Sequence, residues 1–338
     1  MTNPTVKGIA SFAVPLLSVA HSEIRHGYLD MLRTFRGNPL LGERIRNVGF
    51  SAVLAGNDPM ITALQKANRE LVTDAEKRAE RMLRDEIHRN YPNHSLTGEE
   101  LPDQVREQEW MWSIDPVDGT SAMVRSALIR AYGLPMPEAR PAFGISIGVL
   151  HGDTAVLGVI GELMPHEDDL ELGRVWVGGT EMPATCDGSP MLNSEVDTSR
   201  DPLLACTIPE VMFTTADNWG SFQALTDIAG NALVDQNCVG YMGLLDGSVD
   251  IVYERDLLLP DAAAVVPILR SAGVVVTDHQ GHPTSFAPAA RGQEYVLLAA
   301  RPALHDHAVT LTSAGVSGSR NRFGAADPIE LGYTRKVH

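Results

Sequence analysis

The sequence predicts an α/β protein in two parts: an α+β half over residues 1–198 and an α/β half over residues 199–312, with a tail at 313–338. Three observations predict this. Helical apolar spacing dominates the first ninety or so positions. Between about 143 and 179 the apolar residues fall in short runs separated by turn residues. From about 203 onward, short apolar runs alternate with helical segments, the pattern of a layered α/β unit.

Residues about 11–36 read as one amphipathic helix. The apolar stretch Ile9 to Ala20 is too short and too interrupted to span a bilayer. Lys7 before it and Ser18-Val19-Ala20 at its end give it the outline of a signal-peptide core. The helical spacing continues through Ile24, Tyr28, Leu29 and Leu32, however, so the stretch is read as part of the helix. Residues 37–62 are richer in Gly, Pro and Asn, lack a clean period, and read as an insertion or loop. In the next helix Ala75, Ala79, Met82, Leu83 and Ile87 share one face. Thr73 and Glu76 have capping-box spacing at its expected start, and Tyr91-Pro92-Asn93 ends it. Phe143 to Leu150 and Ala155 to Ile160 read as neighbouring strands joined by His151-Gly152-Asp153, with Val175 to Gly179 as a third. The runs at 203–208, 249–253, 274–278 and 295–300 are the expected strands of the second half. The boundary is placed near 198, in the polar stretch Asn193 to Pro202. The tail is rich in Gly, Ser and Arg and is expected to be loosely held.

The chain has 338 residues, 44% of them hydrophobic, and 27 Lys/Arg against 43 Asp/Glu, a net charge of −16. That balance describes a globular chain and argues against general nucleic-acid binding or adhesion to anionic membrane. Cys186, Cys206 and Cys238 are far apart and odd in number, so neither a disulfide framework nor a zinc motif follows, and a reducing cytoplasm is the simplest setting. There is no P-loop and no dinucleotide fingerprint, and the histidines form no H-E-x-x-H set.

The informative segment is Trp112-Ser113-Ile114-Asp115-Pro116-Val117-Asp118-Gly119-Thr120. Pro116 and Gly119 break any helix, so the chain is expected to turn and bring Asp115 and Asp118 to one point. Gly119 allows close backbone approach to a ligand. A helix beginning after it, over Ser121 to Ile129, would aim free N–H groups at an anion. Carboxylates beside a phosphate site need a cation between them, and Mg²⁺ suits oxygen ligands. The plain alternative for this segment is a type I turn with Asx bonding. Glu99-Glu100 reads equally as a solvated acidic loop, Asp261 as a helix N-cap, and Glu76 as the partner in a capping box.

Taken together, Val72-Thr73-x-x-Glu76, Gly98-Glu99-Glu100, Trp112-x-x-Asp115-Pro116-x-Asp118-Gly119-Thr120 and Pro260-Asp261-x-Ala263-Ala264 have the order and spacing of the inositol monophosphatase superfamily. The resemblance covers about residues 66–312. The second half is most similar to histidinol-phosphate phosphatases of this type, in Thr207-Ile208-Pro209, Met212-Phe213, Asn237-Cys238-Val239-Gly240-Tyr241 and Asp250-x-Val252-x-Glu254.

This resemblance implies a layered α/β/α/β/α sandwich of the inositol monophosphatase/fructose-1,6-bisphosphatase type. It implies a Mg²⁺-dependent, lithium-sensitive phosphomonoesterase, commonly a homodimer, acting on a small phosphate ester with two or three ions. By the same resemblance, Glu99, Asp115 and the carbonyl of Val117 would hold one Mg²⁺, and Asp115, Asp118 and Asp261 a second. Thr120 and Glu76, with Glu99 close by, would take or orient the proton of a metal-activated water. The N–H groups of Gly119 and Thr120 would hold the phosphate. Asn237 and Glu254 would face the rest of the substrate.

The sequence departs from the family pattern in several places. Glu76 stands where Asp is usual, Pro260 where Trp is usual, Met123 where an aromatic residue is usual, and Val274 where Gly is usual. Asn237 stands where the histidinol-phosphate group has Asp. A neutral amide suits a hydroxyl or heterocycle better than an amine. Histidinol phosphate is thus the first substrate expected, and a cyclitol, aminosugar or nucleoside phosphate the alternative. A non-catalytic relative acting as a binding protein is the rival from another class. A second insertion, about 124–141, carries Arg125, Arg130 and Arg140, which would either meet an acidic group on the substrate or be solvated.

Overall fold

The computed structural model describes residues 4–48, 59–106, 109–137, 140–166, 168–191, 196–197, 199–229, 232–286 and 293–313. Helix α1 (Val6–Arg36) opens on Thr5, whose Oγ1 accepts the N–H of Gly8 at 3.1 Å. The stretch weighed as a signal-peptide core lies inside this helix, with Ile9, Ala13, Leu16, Leu17 and Ala20 buried.

Residues 37–62 are not simply a loop. Helix α2 (Pro39–Val48) occupies the first part. The Tyr132 hydroxyl lies 2.7 Å from the carbonyl of Phe35 and 3.1 Å from that of Asn38, pinning the junction with α1. Residues 49–58 of the expected insertion lie outside the described set. Helix α3 spans Pro59–Asn90, so Thr73 and Glu76 sit well inside it and the capping-box reading is corrected. A three-residue spacing signals a helix start only where the helix has not already begun.

The first sheet has the order β1 (Ser95–Gly98), β2 (Trp110–Asp118), β3 (Gly144–His151), β4 (Thr154–His166), β5 (Asp169–Gly179), β6 (Met182–Cys186) and β7 (Ser189–Pro190). β1 and β2 pair parallel and the rest antiparallel. The expected strands 155–160 and 175–179 are the buried parts of a longer hairpin. Its outer end, around Met164 and Glu171, is too exposed to show an apolar run. Helix α4 (Thr120–Tyr132) ends at Gly133 in the left-handed conformation. The segment read as an insertion from about 124 is therefore, in its first part, this helix.

After β8 (Leu204–Ala205) come α5 (Pro209–Met212), α6 (Ala216–Ala229), β9 (Ala232–Leu233), α7 (Asn237–Asp246), β10 (Ile251–Leu257), α8 (Leu259–Ala262), α9 (Val265–Ser271), β11 (Val275–Thr277), β12 (Tyr295–Ala300) and α10 (Pro302–Ser313). The second sheet has the order β11-β12-β10-β8-β9. The boundary expected near 198 falls between β7 and β8, on a residue outside the described set, as does the tail from 314.

Period-two alternation builds the layers. Val252, Leu297 and Ala299 face inward to α7, α8 and α9 and, across them, to Leu150, Ile160 and Trp176 of the first sheet. Ile251, Tyr253, Leu298 and Ala300 face outward to Phe222, Leu225 and Ala308 of α6 and α10. On the far side of the first sheet, α1, α3 and α4 bury Leu16, Ile24, Leu83 and Ala127 against Ile145 and Ile147. The layering is thus α/β/α/β/α. Among the described residues, no helix is long and apolar enough to cross a membrane.

Candidate active site

Asp115 and Asp118 are presented by a strand rather than by a turn. β2 continues through Asp118, and its pairing with β3 shifts register between Asp115 and Asp118. This bulge re-aims the strand so that both carboxylates reach one place, which strict alternation would forbid. Asp115 Oδ1 accepts the N–H of Val117 at 2.9 Å, and Asp118 Oδ2 accepts the N–H of Cys238 at 2.7 Å.

Gly119 then turns the chain into α4 with φ of +107°, a conformation open to glycine. No side chain caps this helix, so its first-turn N–H groups stand without intrahelical partners beside the cavity that Gly119, Thr120 and Ser121 line. Thr120 donates its hydroxyl to Glu76 Oε1 at 2.5 Å, and the carbonyl of Val117 lies 3.3 Å from the same oxygen. Glu76, 2% exposed, reaches this point from the middle of α3.

Asp261 comes from the second half, on α8, where its Oδ2 accepts the N–H of Leu258 at 2.7 Å. A Cβ at Gly148 of β3 would lie 2.6 Å from the Cβ of Ala263, so a bare strand surface lets this turn close onto the first sheet. Oxygen atoms of Asp115, Asp118 and Asp261 lie within 4.8 Å of one another.

Such a cluster is electrostatically unfavourable on its own. Burial, then repulsion from Glu99, Asp118 and Asp261, holds Asp115 well above the usual carboxylate range. Asp261 is raised well above that range by burial and by Asp118 and Glu99. Asp118 is pushed up to about 7 by burial and by the charge of Glu254. Asp115 Oδ2 is buried without a hydrogen-bond donor among the described residues. An oxygen-only, anionic, under-satisfied donor set fits a hard divalent cation.

The cavity measures about 220 Å³, and Glu99, Asn237 and Glu254 also line it. Asn237 begins α7 at φ +48°. Its Nδ2 donates to the carbonyl of Ala142 at 2.7 Å and would lie 2.6 Å from a Cβ at Gly119. Glu254, 2% exposed on β10, accepts the Thr207 hydroxyl at 2.5 Å, and Thr207 Oγ1 accepts the N–H of Asn237 at 3.1 Å.

Two acids on the cavity wall, Asp235 and Asp256, were not singled out from the sequence, and Thr207 was named only within a shared segment, with no role. Three of the four described non-glycine residues with positive φ, Asp235, Asn237 and Asp256, line this cavity. Strained backbone of this kind concentrates at functional sites. Asp256 lies two residues after Glu254, and that spacing on a strand was the available signal. Arg125 lies 3.2 Å from the buried Asp235, and Arg130 donates to the carbonyl of Pro165. Two of the three arginines weighed as substrate contacts therefore meet protein groups, while Arg140 is exposed.

The profile of the inositol monophosphatase family matches residues 44–316. The chain belongs to that family. Inositol monophosphatase family members are metal-dependent phosphomonoesterases, and membership places the chain in that enzyme class. The bifunctional phosphatase IMPL2 of Arabidopsis thaliana is 26% identical over 212 residues, 62% of this chain and 55% of that protein. A histidinol-phosphatase of Chlorobaculum parvum is 27% identical over 210 residues, 62% of this chain and 73% of that protein. The fold matches the structure of an inositol monophosphatase from Zymomonas mobilis with a TM-score of 0.63 at 23% identity, covering 92% of this chain and 100% of that one.

Proposed function

We propose that the protein hydrolyses a small, soluble phosphomonoester to an alcohol and inorganic phosphate. The observation that carries this reading is the convergence of Asp115, Asp118 and Asp261 beside the uncapped start of α4, with the Thr120–Glu76 hydrogen bond alongside. Glu99, Asp115, the carbonyl of Val117, Asp118 and Asp261 would hold divalent cations, Mg²⁺ in two or three positions. Bound there, the metal would relieve carboxylate repulsion and activate a water for attack on phosphorus. The N–H groups of Gly119 and Thr120 would receive the phosphate oxygens. Thr120, its own proton directed at Glu76, would accept the proton of the attacking water on a lone pair while giving its hydroxyl proton to Glu76.

The second half, from about 199 to 312, supplies Asp261 and the wall facing the rest of the substrate. L-histidinol phosphate is the first substrate. It is supported by the segments shared with histidinol-phosphate phosphatases and by the acids Glu254 and Asp256 on the cavity wall, which suit an amine. A cyclitol, aminosugar or nucleoside phosphate is the second, favoured by the neutral Asn237. The protein is taken to act in the cytoplasm as a homodimer, in keeping with its free cysteines and the family habit.

The test is phosphate release from histidinol phosphate, inositol 1-phosphate, nucleoside and aminosugar phosphates, and fructose 1,6-bisphosphate. Each is assayed with Mg²⁺, with EDTA and with lithium, against Asp115→Asn as control. Mg²⁺-dependent release that the variant lacks is expected, with histidinol phosphate the best substrate. Preference for a neutral sugar phosphate would move the assignment to the second reading. Binding of Mg²⁺ with no turnover on any ester would overturn the enzymatic one.

A further inference from the structure

One and two turns beyond Glu76 on α3 lie Glu80 and Arg84, 0% and 4% exposed. Arg84 Nε donates to Glu80 Oε1 at 2.8 Å, and Glu80 Oε2 accepts the N–H of Glu100 at 2.7 Å. Arg84 Nη1 donates to the carbonyl of Pro102 at 2.7 Å, and Nη2 to that of Leu101 at 3.1 Å. The pair therefore grips three consecutive backbone positions, 100, 101 and 102, immediately after Glu99. At the base of the loop, Leu96 and Gln104 exchange backbone hydrogen bonds at 2.9 and 2.8 Å, and Thr97 Oγ1 donates to Asp103 Oδ1 at 2.8 Å. On the other side of Glu99, a Cβ at Gly98 would overlap the Glu80 carboxylate.

A buried ion pair is a weak way to stabilise a helix packing face, because desolvation offsets its attraction and an apolar pair would serve as well. An apolar pair has no groups to offer the loop's polar backbone. We infer that the Glu80–Arg84 pair is a positioning device for Glu99, holding the 98–102 loop so that the Glu99 carboxylate stays at the cavity beside Asp115. One face of α3 then sets two parts of the site: Glu76 orients Thr120, and Glu80 with Arg84 fixes the Glu99 loop. This inference rests on the reading of Glu99 as a metal ligand.

The test is calorimetric titration of the full chain with Mg²⁺, or Mn²⁺ where Mg²⁺ heats are small. Five proteins are compared: wild type, Glu99→Gln, Arg84→Lys, Gly98→Ala and the double variant Glu99→Gln/Arg84→Lys. Each is first checked for a cooperative melt in EDTA. Arg84→Lys keeps the charge but loses the two-carbonyl fork, and Gly98→Ala drives a Cβ into the Glu80 carboxylate, so it disturbs the pair's hold on the loop from the other side. Each is expected to weaken metal binding by about tenfold or more, the range seen when groups supporting metal ligands are removed. At saturating metal, the KM for the phosphate ester should stay near the wild-type value.

In the double variant the losses should not add, because Arg84 acts through Glu99. Wild-type metal affinity in both Arg84→Lys and Gly98→Ala, with Glu99→Gln impaired, would overturn the inference. So would additive losses in the double variant. Unchanged affinity in Glu99→Gln would overturn the ligand reading itself, and the inference with it.

Discussion

Thr120 on the first turn of α4 donates its hydroxyl to Glu76 Oε1 at 2.5 Å, tying the helix that begins beside the clustered carboxylates to the middle of α3. Glu76 is nearly fully buried, and its position is set by the helix rather than by a helix end. The bond directs the Thr120 proton to Glu76, the nearer of its two acceptors, and leaves the oxygen's lone pairs for the cavity.

Replacing Glu76 with Gln keeps the shape and removes the proton acceptor. The expected result is a fall in kcat of about 10²-fold, the lower end of general acid–base contributions. Initial-rate measurements at saturating Mg²⁺ should show KM little changed. A variant altered only in melting temperature would return Glu76 to a purely structural role.

Asp115→Asn should separate stability from activity. The carboxylate is buried and raised by its acidic neighbours, so neutralising it removes repulsion from the metal-free protein. Turnover should be lost and metal affinity weakened, while the melting temperature in EDTA at about pH 8 rises above wild type. A lower melting temperature there would show that the hydrogen bond to Val117 outweighs the repulsion.

The pH dependence of the metal-free protein follows from the same cluster. Asp118, ordinarily near 3.8, titrates at about 7 in the folded chain, with burial and the charge of Glu254 as causes. Between those values the folded state holds a proton that the unfolded chain has released. Stability is therefore fully present below the lower value and is lost as pH rises through the upper one. Asp115 and Asp261 shift in the same direction. Melting curves in EDTA should fall from about pH 5 to about pH 8, and saturating Mg²⁺ should remove most of the decline. A flat profile in EDTA would contradict the repulsion.

Thr207→Val removes a hydroxyl that donates to Glu254 and accepts from the N–H of Asn237. Both partners are buried, so a loss of about 1–3 kcal/mol is expected in urea denaturation. KM should rise more than kcat falls, because on the proposed reading Glu254 would face the rest of the substrate rather than phosphorus. Equal losses in kcat and kcat/KM would place Thr207 in the chemical step.

The acidic segment 115–120 of the candidate site is legible in the sequence because its signal is local: two Asp, a Pro and a Gly-Thr within six residues, followed by helical spacing. What the sequence misplaced was context. Thr73 and Glu76 look like a helix start until α3 is seen to begin at Pro59. The 115–119 segment reads as a turn, but a strand with a bulge delivers the same convergence. Arg125 looks free on an insertion, yet it lies on α4 against Asp235, a partner more than a hundred positions away. Thr207 was visible within a shared segment, but its contact with Glu254 exists only once β8 and β10 pair. Spacing reveals groups that act together along the chain, and says little about groups that meet only through sheet pairing.

The carboxylates at 115 and 118 belong to the first sheet, and the one at 261 arrives on the turn that closes against Gly148. During synthesis, the first sheet's strands have all left the ribosome well before Asp261 is made. The nascent chain therefore carries only part of the acidic cluster, and the mutual repulsion reaches full strength only when the second sheet docks. On the proposed reading, a cation bound by all three carboxylates would act as a seal on the finished fold, favouring molecules in which the last acid has reached its place.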